Sequence, residues 1–379
     1  MLYINGRFLT RPMTGVERYA YTVCLKLAEQ TADFSIVCPK APILSCYDTS
    51  RLPIIFFGHG NSHFWEQCVL PFFFIGKKDY VLLNLTGLGT ILIGNKITTI
   101  HDLSFLENPK WFSRPYYLWY KLMTPLAVKT SKHVITVSEF SKREILRFYG
   151  SGTSRPCVKE EDISVAYCAA DSTRFRVVGE EQGARSKEQG TRGKEQGARG
   201  KEQGDKFVLA VSSFDPRKNF ARLIQAFEQL PEYELRIVGS HNRVFTAEGH
   251  SAECKQNIRF LGRVSDDELL TLYNQAAAFV FPSIYEGFGL PPIEAMHCGC
   301  PVLAADIPVI REVCADAANY FDPYSVESIR DAIKSFFQHQ ENSRATMQEK
   351  GFANIQRFSW DATATVIKNI AEQINRSTQ

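Results

Sequence analysis

The chain has 379 residues, of which 44% are hydrophobic and 22% charged, with a formal net charge of +3. That length exceeds what one hydrophobic core usually serves and points to two domains, while the composition is that of an ordinary globular protein and the small net charge argues against a dedicated nucleic-acid binder. The charge is uneven: residues 1–150 hold 17 lysines and arginines against 10 acids, a balance of +7 that leaves −4 for the remainder. The first half is therefore expected to favour anionic partners or an anionic membrane surface, with a plain solvated face as the competing reading.

The opening, MLYINGRFLTRP, lacks the apolar segment of a signal peptide. LYIN reads as a strand leading through Gly15 into a helix with Val16, Ala20, Val23 and Leu27 on one face. The apolar stretch 80–100 carries Asn84, Asn95, Lys96 and three glycines, so it reads as two short buried strands with a turn and not as a membrane span. Its second strand, KITTI at 96–100, ends at His101 and Asp102; Asp102 is expected either to orient His101 or to cap the following turn.

KWFSRPYYLWYK, 110–121, sets six aromatic rings among Lys110, Arg114 and Lys121. Rings with polar tips beside cations suit a lipid headgroup layer; the alternative is that half of them face a core. HVITV at 133–137 is a further strand, followed by a helix in which Ser141 and Glu144 are expected to form a capping box and Gly150 the stop.

Residues 180–207 repeat with a period of seven: EEQGARS, KEQGTRG, KEQGARG, KEQGDKF. No position carries a recurrent apolar residue and every unit holds a glycine, which excludes a coiled coil and leaves a linker or loop expansion. Beyond it, strands are expected at 206–214, 233–240, 257–262, 277–283 and 301–306, alternating with helices at 221–230, 265–276 and 290–299. That alternation predicts an α/β fold with a parallel sheet covered on both faces, the first half repeating the theme less cleanly. Ligands of such sheets sit beyond the strands' carboxyl ends, and two such domains facing each other would place the site in a cleft. The ten cysteines include no C-x-x-C pair, which argues against a zinc site or a disulfide framework and fits a reducing cytoplasm. The sequence HCGC at 297–300 looks metal-like but falls at a helix end, and no metal is expected there.

EGFGLPPIEAMHCGCPVLAAD, 286–306, follows a strand end and opens a helix. Gly287 and Gly289 let backbone come close to a ligand, and the helix N-terminus offers N–H groups to an anion such as a diphosphate. Glu294, one turn in, can accept from a vicinal diol as the acid of a dinucleotide site does with ribose, and Glu286 on the loop can bind sugar hydroxyls. DPRKNF, 215–220, places Arg217 and Lys218 after another strand end, where two adjacent cations can hold a diphosphate. Each signal alone is weak; the joint placement at successive strand-to-helix junctions carries the weight.

With those residues in view, PSIYEGFGLPPIEAMHCGCPVLAAD, FDPRKN, FLGRVSDDELLTLYNQA, IHDLSFLENP, TGVERYAYTVCLKL and VITVSEFSKREI resemble, in the correct order, the retaining glycosyltransferases of family four with the GT-B fold, in the style of bacterial surface-polysaccharide enzymes. The resemblance spans nearly the whole chain apart from the repeat. It implies two doubly wound Rossmann-like domains: residues 1–175 on the acceptor side with 360–379 crossing back onto it, a linker at 176–206, and a nucleotide-sugar domain at 207–359. It implies transfer of a sugar from a nucleoside-diphosphate sugar, GDP- or UDP-linked, to a lipid-linked or saccharide acceptor, with no metal, no separate cofactor and no nucleic acid, in the cytoplasm or peripherally at the inner face of the membrane. In that frame Glu294 holds the ribose, Glu286 contacts the donor sugar, Arg217 and Lys218 hold the diphosphate, Gly287, Phe288 and Gly289 form the donor loop, Gly15 approaches the phosphates, and His101 lies against the donor sugar near the reacting carbon. The leaving diphosphate itself would take the acceptor's proton in a front-face mechanism, with Glu286 as a covalent nucleophile the rival role. A sugar-nucleotide epimerase of related fold, a phosphorylase-like enzyme and a non-catalytic partner subunit are the competing functions. The chain departs from the family pattern at Ser212–Ser213, where Gly-Arg is common, and at 165–171, where Pro-Asn-Gly-x-Asp is usual.

Overall fold

A computed structural model describes residues 1–60, 62–154, 156–178, 207–239 and 256–378. The repeat at 180–206 lies outside the described residues. The chain divides into two compact units, Met1–Cys168 together with Phe358–Gln379, and Ala169–Arg357.

The first unit is built on seven parallel strands: β1 (Leu2–Asn5), β2 (Phe34–Cys38), β3 (Ile54–Phe56), β4 (Val81–Asn84), β5 (Lys96–Ile100), β6 (His133–Thr136) and β7 (Ile163–Val165), in the order β3-β2-β1-β4-β5-β6-β7. The chain winds outward from β1 to β3 and then returns to β4, so the winding reverses between β1 and β4. Residues Ile36, Ile4, Leu83 and Ile97 stand in one row across the sheet, all buried, as a sheet covered on both faces requires. The last helix, Trp360–Thr378, packs on the helix Gly15–Gln30: Lys26 Nζ lies 3.3 Å from Asp361 Oδ1, Gln30 Nε2 donates to the Asp361 carbonyl at 3.0 Å, and the Trp360 ring meets Tyr19 edge-on.

The second unit holds six parallel strands: β8 (Phe207–Val211), β9 (Glu234–Val238), β10 (Ile258–Gly262), β11 (Ala278–Phe281), β12 (Val302–Ala305) and β13 (Ala318–Phe321), in the order β10-β9-β8-β11-β12-β13. Here the reversal falls between β8 and β11. Ile258, Leu235, Val208 and Ala278 form a buried row. The helix Asp266–Gln275 starts on a full capping box, Ser265 Oγ accepting from the Glu268 N–H at 3.2 Å and Glu268 Oε2 from the Ser265 N–H at 2.7 Å.

Two expectations are corrected. The helix Glu139–Tyr149 is capped by Ser138, whose Oγ accepts from the Ser141 N–H at 3.0 Å. Ser141 instead donates its hydroxyl to the His101 carbonyl at 3.2 Å, and Glu144 pairs with Arg147 at 2.9 Å, so no Ser141–Glu144 box forms. Gly150 ends that helix as expected, with an extended backbone (φ −76°, ψ 177°). On the helix Gly15–Gln30 the buried face is Glu17, Tyr19, Ala20, Val23, Cys24 and Leu27; Val16 is only half-buried. Strands β2, β3, β7 and β13 had no expectation attached to them.

Lys96 opens β5 with its side chain fully buried, donating to the Ile93 carbonyl at 2.9 Å and to Thr130 Oγ1 at 2.5 Å. Burial pushes its ammonium down to about 7. Between that value and the ordinary lysine value of 10.5, the unfolded chain holds a proton that the folded chain lacks, so raising the pH favours folding. The cost is therefore largest below about 7 and is relieved as the pH rises. Thermal melts over this window should show wild-type stability climbing relative to Lys96→Met; parallel pH profiles would show that the buried amine does not titrate this way.

Candidate active site

At the winding reversal of the second unit, two strand-end loops carry the expected charges. After β8, Asp215 accepts from the Arg217 N–H on Oδ1 and from Arg217 Nε on Oδ2, both at 3.1 Å, which fixes the guanidinium. After β11, the Ile284 N–H donates to the Arg217 carbonyl at 2.9 Å and ties the loops together. Lys218 Nζ then lies 2.5 Å from Glu286 Oε1, and Arg217 Nη1 3.8 Å from Glu286 Oε2. The Lys218 and Glu286 side chains are 12% and 9% exposed, so their attraction is only partly screened. The structure thus brings Arg217, Lys218 and Glu286 into one cluster.

The residue that aims this cluster is Asn219. It sits at a left-handed φ of +60°, buried, with Nδ2 donating to the Pro282 carbonyl at 3.0 Å and the Pro323 carbonyl at 2.7 Å, and Oδ1 accepting from Arg222 Nη1 at 2.9 Å. One side chain therefore holds the loops after β8, β11 and β13 in fixed relation.

Gly287, Phe288 and Gly289 are buried. Gly289 caps the helix Leu290–His297 at φ +108°, and a Cβ there would lie 2.8 Å from Ile310 Cδ1, so both conformation and space require glycine. Pro291 and Pro292 have no N–H to offer, so the first turn of this helix carries few backbone donors. Glu294 lies in this helix, and its Oε2 accepts from the buried Tyr273 hydroxyl at 3.1 Å. Burial, with Glu294 adding to it, raises the Tyr273 phenol well above its usual value, so it stays a donor. Cys298 and Cys300 are buried and their thiols are pushed up to about 12, which keeps them protonated and poor metal ligands. Among the described residues no three His, Cys, Asp or Glu side chains gather as a metal site.

In the first unit, His101 follows β5. Its Nε2 donates to the Leu85 carbonyl at 2.8 Å, which fixes the tautomer and leaves Nδ1 as the acceptor. Burial lowers its pKa, against the opposing pull of that carbonyl, Asp102 and Glu17. Asp102 Oδ1 accepts from the Ser104 N–H at 3.0 Å and its hydroxyl at 2.6 Å, so it caps the next turn. His101 lies on the wall of a cavity of about 220 Å³ that also takes in Thr14 and Val16, the neighbours of Gly15. Gly15 opens its helix on the surface, and an added Cβ would meet nothing within 4 Å.

Sequence reasoning missed Asn219, Tyr273 and the cavity residues Arg11, Glu17 and Thr124. A polar residue after a cation pair, an acid in a helix's first turn and a mid-helix threonine each read as ordinary surface; only the fold shows them buried or gathered.

Residues 13–174 match the family described as Glycosyltransferase Family 4, and residues 191–353 that described as Glycosyl transferases group 1. The chain is 31% identical over 359 residues to the O-antigen chain mannosyltransferase RfbU of Salmonella typhimurium (strain LT2), covering 89% of this chain and 91% of that one. It is 29% identical over 296 residues to the O-antigen chain mannosyltransferase B of Escherichia coli, covering 76% and 73%. The solved sucrose-phosphate synthase of Thermosynechococcus elongatus superposes with a TM-score of 0.73 at 18% identity over 99% of each chain, a likeness that shows the fold, GT-B.

The Asn219 clamp makes a stability prediction. Asn219→Gly keeps the left-handed backbone but loses the side-chain bonds and should cost about 2 kcal/mol in urea unfolding. Asn219→Ala should cost about 1 kcal/mol more, because a Cβ is strained at that φ. Equal costs for the two would show that the left-handed backbone is not under constraint.

Proposed function

Because the chain belongs to glycosyltransferase family 4, we propose that it moves a sugar from a nucleoside-diphosphate sugar to an acceptor hydroxyl in cell-surface polysaccharide or glycolipid assembly, retaining the anomeric configuration and needing no metal. The observation that carries this reading is the Arg217–Lys218–Glu286 cluster at the carboxyl ends of β8 and β11. An incoming diphosphate competes with Glu286 for both cations and frees its carboxylate to accept from donor-sugar hydroxyls. Each charge-assisted bond contributes about 1.5–3 kcal/mol. Those bonds strengthen as the sugar–phosphate bond breaks and charge gathers on the leaving group, which is where catalysis needs them. The two cations do the work that a divalent metal does in other transferases.

In the proposed reaction the acceptor oxygen bonds the anomeric carbon on the face from which the diphosphate departs, and the acceptor's proton passes to a diphosphate oxygen. Glu294, oriented by Tyr273, accepts from the ribose hydroxyls, and the Gly287–Gly289 backbone approaches the diphosphate. In the first unit, the N–H groups at the Gly15 helix start suit the phosphates, and neutral His101 offers Nδ1 to a sugar hydroxyl. The mannosyltransferase names of both relatives support mannose as the sugar moved.

A second element of the proposal is peripheral attachment to the inner face of the membrane by a cytoplasmic protein. On the helix Arg114–Lys129, Leu118 and Leu122 are 62% exposed and Trp119 37%, while Phe112, Tyr117 and Tyr120 pack against the core. The stripe lies among Lys110, Arg114, Lys121 and Lys129, with no acid between Glu107 and Glu139. No helix among the described residues is long and apolar enough to cross a membrane.

Nucleotide release should be assayed across UDP-, GDP- and ADP-sugars, with and without lipid-linked acceptors. Lys218→Ala should lower kcat by about a hundredfold with little change in melting temperature, and Glu294→Ala should weaken donor binding about tenfold by calorimetry. Normal turnover in the first variant, or unchanged donor affinity in the second, overturns the corresponding role. For the membrane, vesicle sedimentation should show salt-sensitive binding to anionic lipid that Arg114→Glu and Leu122→Asp reduce, each cation contributing about 1 kcal/mol. Negligible binding to anionic and neutral vesicles alike, at low and high salt, sinks this part.

A further inference from the structure

The His101 imidazole is pulled in two directions. Burial disfavours its charged form, while the Leu85 carbonyl, Asp102 beside it and Glu17 from the helix Gly15–Gln30 all favour that form, and burial prevails. A neutral ring with Nδ1 left to accept therefore depends on what keeps water away from it. The Leu85 carbonyl holds Nε2 at 2.8 Å, and the Ser141 hydroxyl holds the His101 carbonyl at 3.2 Å. Two hydrogen bonds fix an orientation but do not by themselves exclude water.

Tyr19 supplies the cover. It lies on the buried face of its helix with Val23 and Leu27 and is 1% exposed. Its ring meets the imidazole edge-on, with centroids 4.8 Å apart and planes at 89°, within the range of favourable aromatic contacts. Its hydroxyl is buried beside Thr99 without a hydrogen bond of good geometry, and burial holds the phenol well above its usual pKa. The ring, and not the hydroxyl, is thus what Tyr19 brings to His101. Trp360 packs on Tyr19 in turn, at 5.7 Å and 61°. Trp360 opens the terminal helix, which is anchored at the same end: Asp361 engages Lys26 and Gln30, and Thr363 donates its hydroxyl to the Tyr167 carbonyl. Three rings therefore run in contact from the start of that helix to the imidazole. A side chain whose own rotamer is locked by packing can hold its neighbour in one geometry.

We propose that Tyr19, braced by Trp360, is the positioning residue of His101: its ring keeps water from the imidazole and holds Nδ1 available as an acceptor, so that the terminal helix acts on the reaction through one aromatic contact. The proposal rests on the glycosyl-transfer reading only for what Nδ1 accepts from, a sugar hydroxyl.

The test is nitrogen NMR of the full chain with labelled histidine and no donor, titrated from about pH 5 to 8.5, with the His101 signals identified by their loss in His101→Gln. The wild type should show one tautomer, with the proton on Nε2. Trp360→Leu, at a half-buried position, and Tyr19→Leu should both move the His101 midpoint upward, because admitted water favours the imidazolium, and should bring in the second tautomer. Tyr19→Phe keeps the ring and should keep both the midpoint and the tautomer. In turnover, kcat/KM falls as acid protonates Nδ1, and the fall should begin at higher pH in the two leucine variants. Their kcat near neutral pH should be about tenfold lower. A purely structural role would lower Tm and leave the His101 titration where it is. An unmoved His101 in Trp360→Leu, or in a folded Tyr19→Leu, overturns the proposal, and so does a Tyr19→Phe variant that behaves like Tyr19→Leu. Should Tyr19→Leu not fold, Trp360→Leu decides. Full turnover in His101→Gln, with the NMR shifts as expected, counts against the role of His101 in glycosyl transfer and not against its positioning by Tyr19.

Discussion

The Asn219 side chain donates to two carbonyls on neighbouring loops, those of Pro282 and Pro323, and accepts from Arg222, all from a left-handed backbone angle. The charge cluster beside it depends on that clamp. Lys218 and Arg217 precede Asn219 directly, and Glu286 follows Pro282 by four residues, so the distance between cations and carboxylate is set by how the two loops are joined. A parallel sheet leaves the loops at its strand ends without ladder partners; here a single amide and the Ile284–Arg217 backbone bond supply the order that the sheet does not. Preorganisation of this kind lets fixed charges act without rearrangement during the reaction.

The first unit solves the same problem with a buried ionic network. At its winding reversal Asn5 closes β1 and Asn84 closes β4. Asn5 Nδ2 donates to Glu66 Oε1 at 2.7 Å and to Asn84 Oδ1 at 3.0 Å, and Arg7 Nε lies 3.4 Å from Glu66 Oε1. Burial alone would raise the Glu66 carboxyl, but Arg7, His63 and Asn5 outweigh it and hold it below the usual range. A buried pair of this sort adds little net stability but is costly to break, on the order of 3–5 kcal/mol when one partner is removed. It therefore works as a positional constraint on the loops that begin the Gly15 helix and the His63 turn. His101 shows the same economy on a smaller scale, with one nitrogen fixed by Leu85 and the other left for chemistry.

Long, strongly patterned elements were legible from sequence. β8 to β12, the helix capped at Ser265 and the proline-opened helix Leu290–His297 all fall where apolar runs and punctuation residues place them. The three-residue strands β3 and β7 were not legible, because a strand that short has no period to read. The helix Glu139–Tyr149 shows a local limit of pattern: the spacing of Ser141 and Glu144 reads as a cap in sequence, but the helix starts earlier in the chain and Ser138 caps it. The meeting of Lys218 with Glu286 was readable because both follow strand ends, a position that topology turns into proximity. The meeting of Glu17 and Thr124 on one cavity wall was not, since the two lie far apart in the chain and neither was singled out. The stretch 80–100 forms the two short buried strands its pattern announced; what the pattern did not show is that the Lys96 side chain itself would be buried completely.

In the proposed reaction a sugar leaves a diphosphate held by Arg217 and Lys218 and joins an acceptor on the same face. The most direct measurement is the proton NMR time course of the product formed from an α-linked nucleotide sugar and an acceptor saccharide. An α-linked product is expected from its first appearance, with one nucleoside diphosphate released per bond formed. A β-linked product, or nucleotide release without a new glycosidic bond in the presence of acceptor, would contradict it.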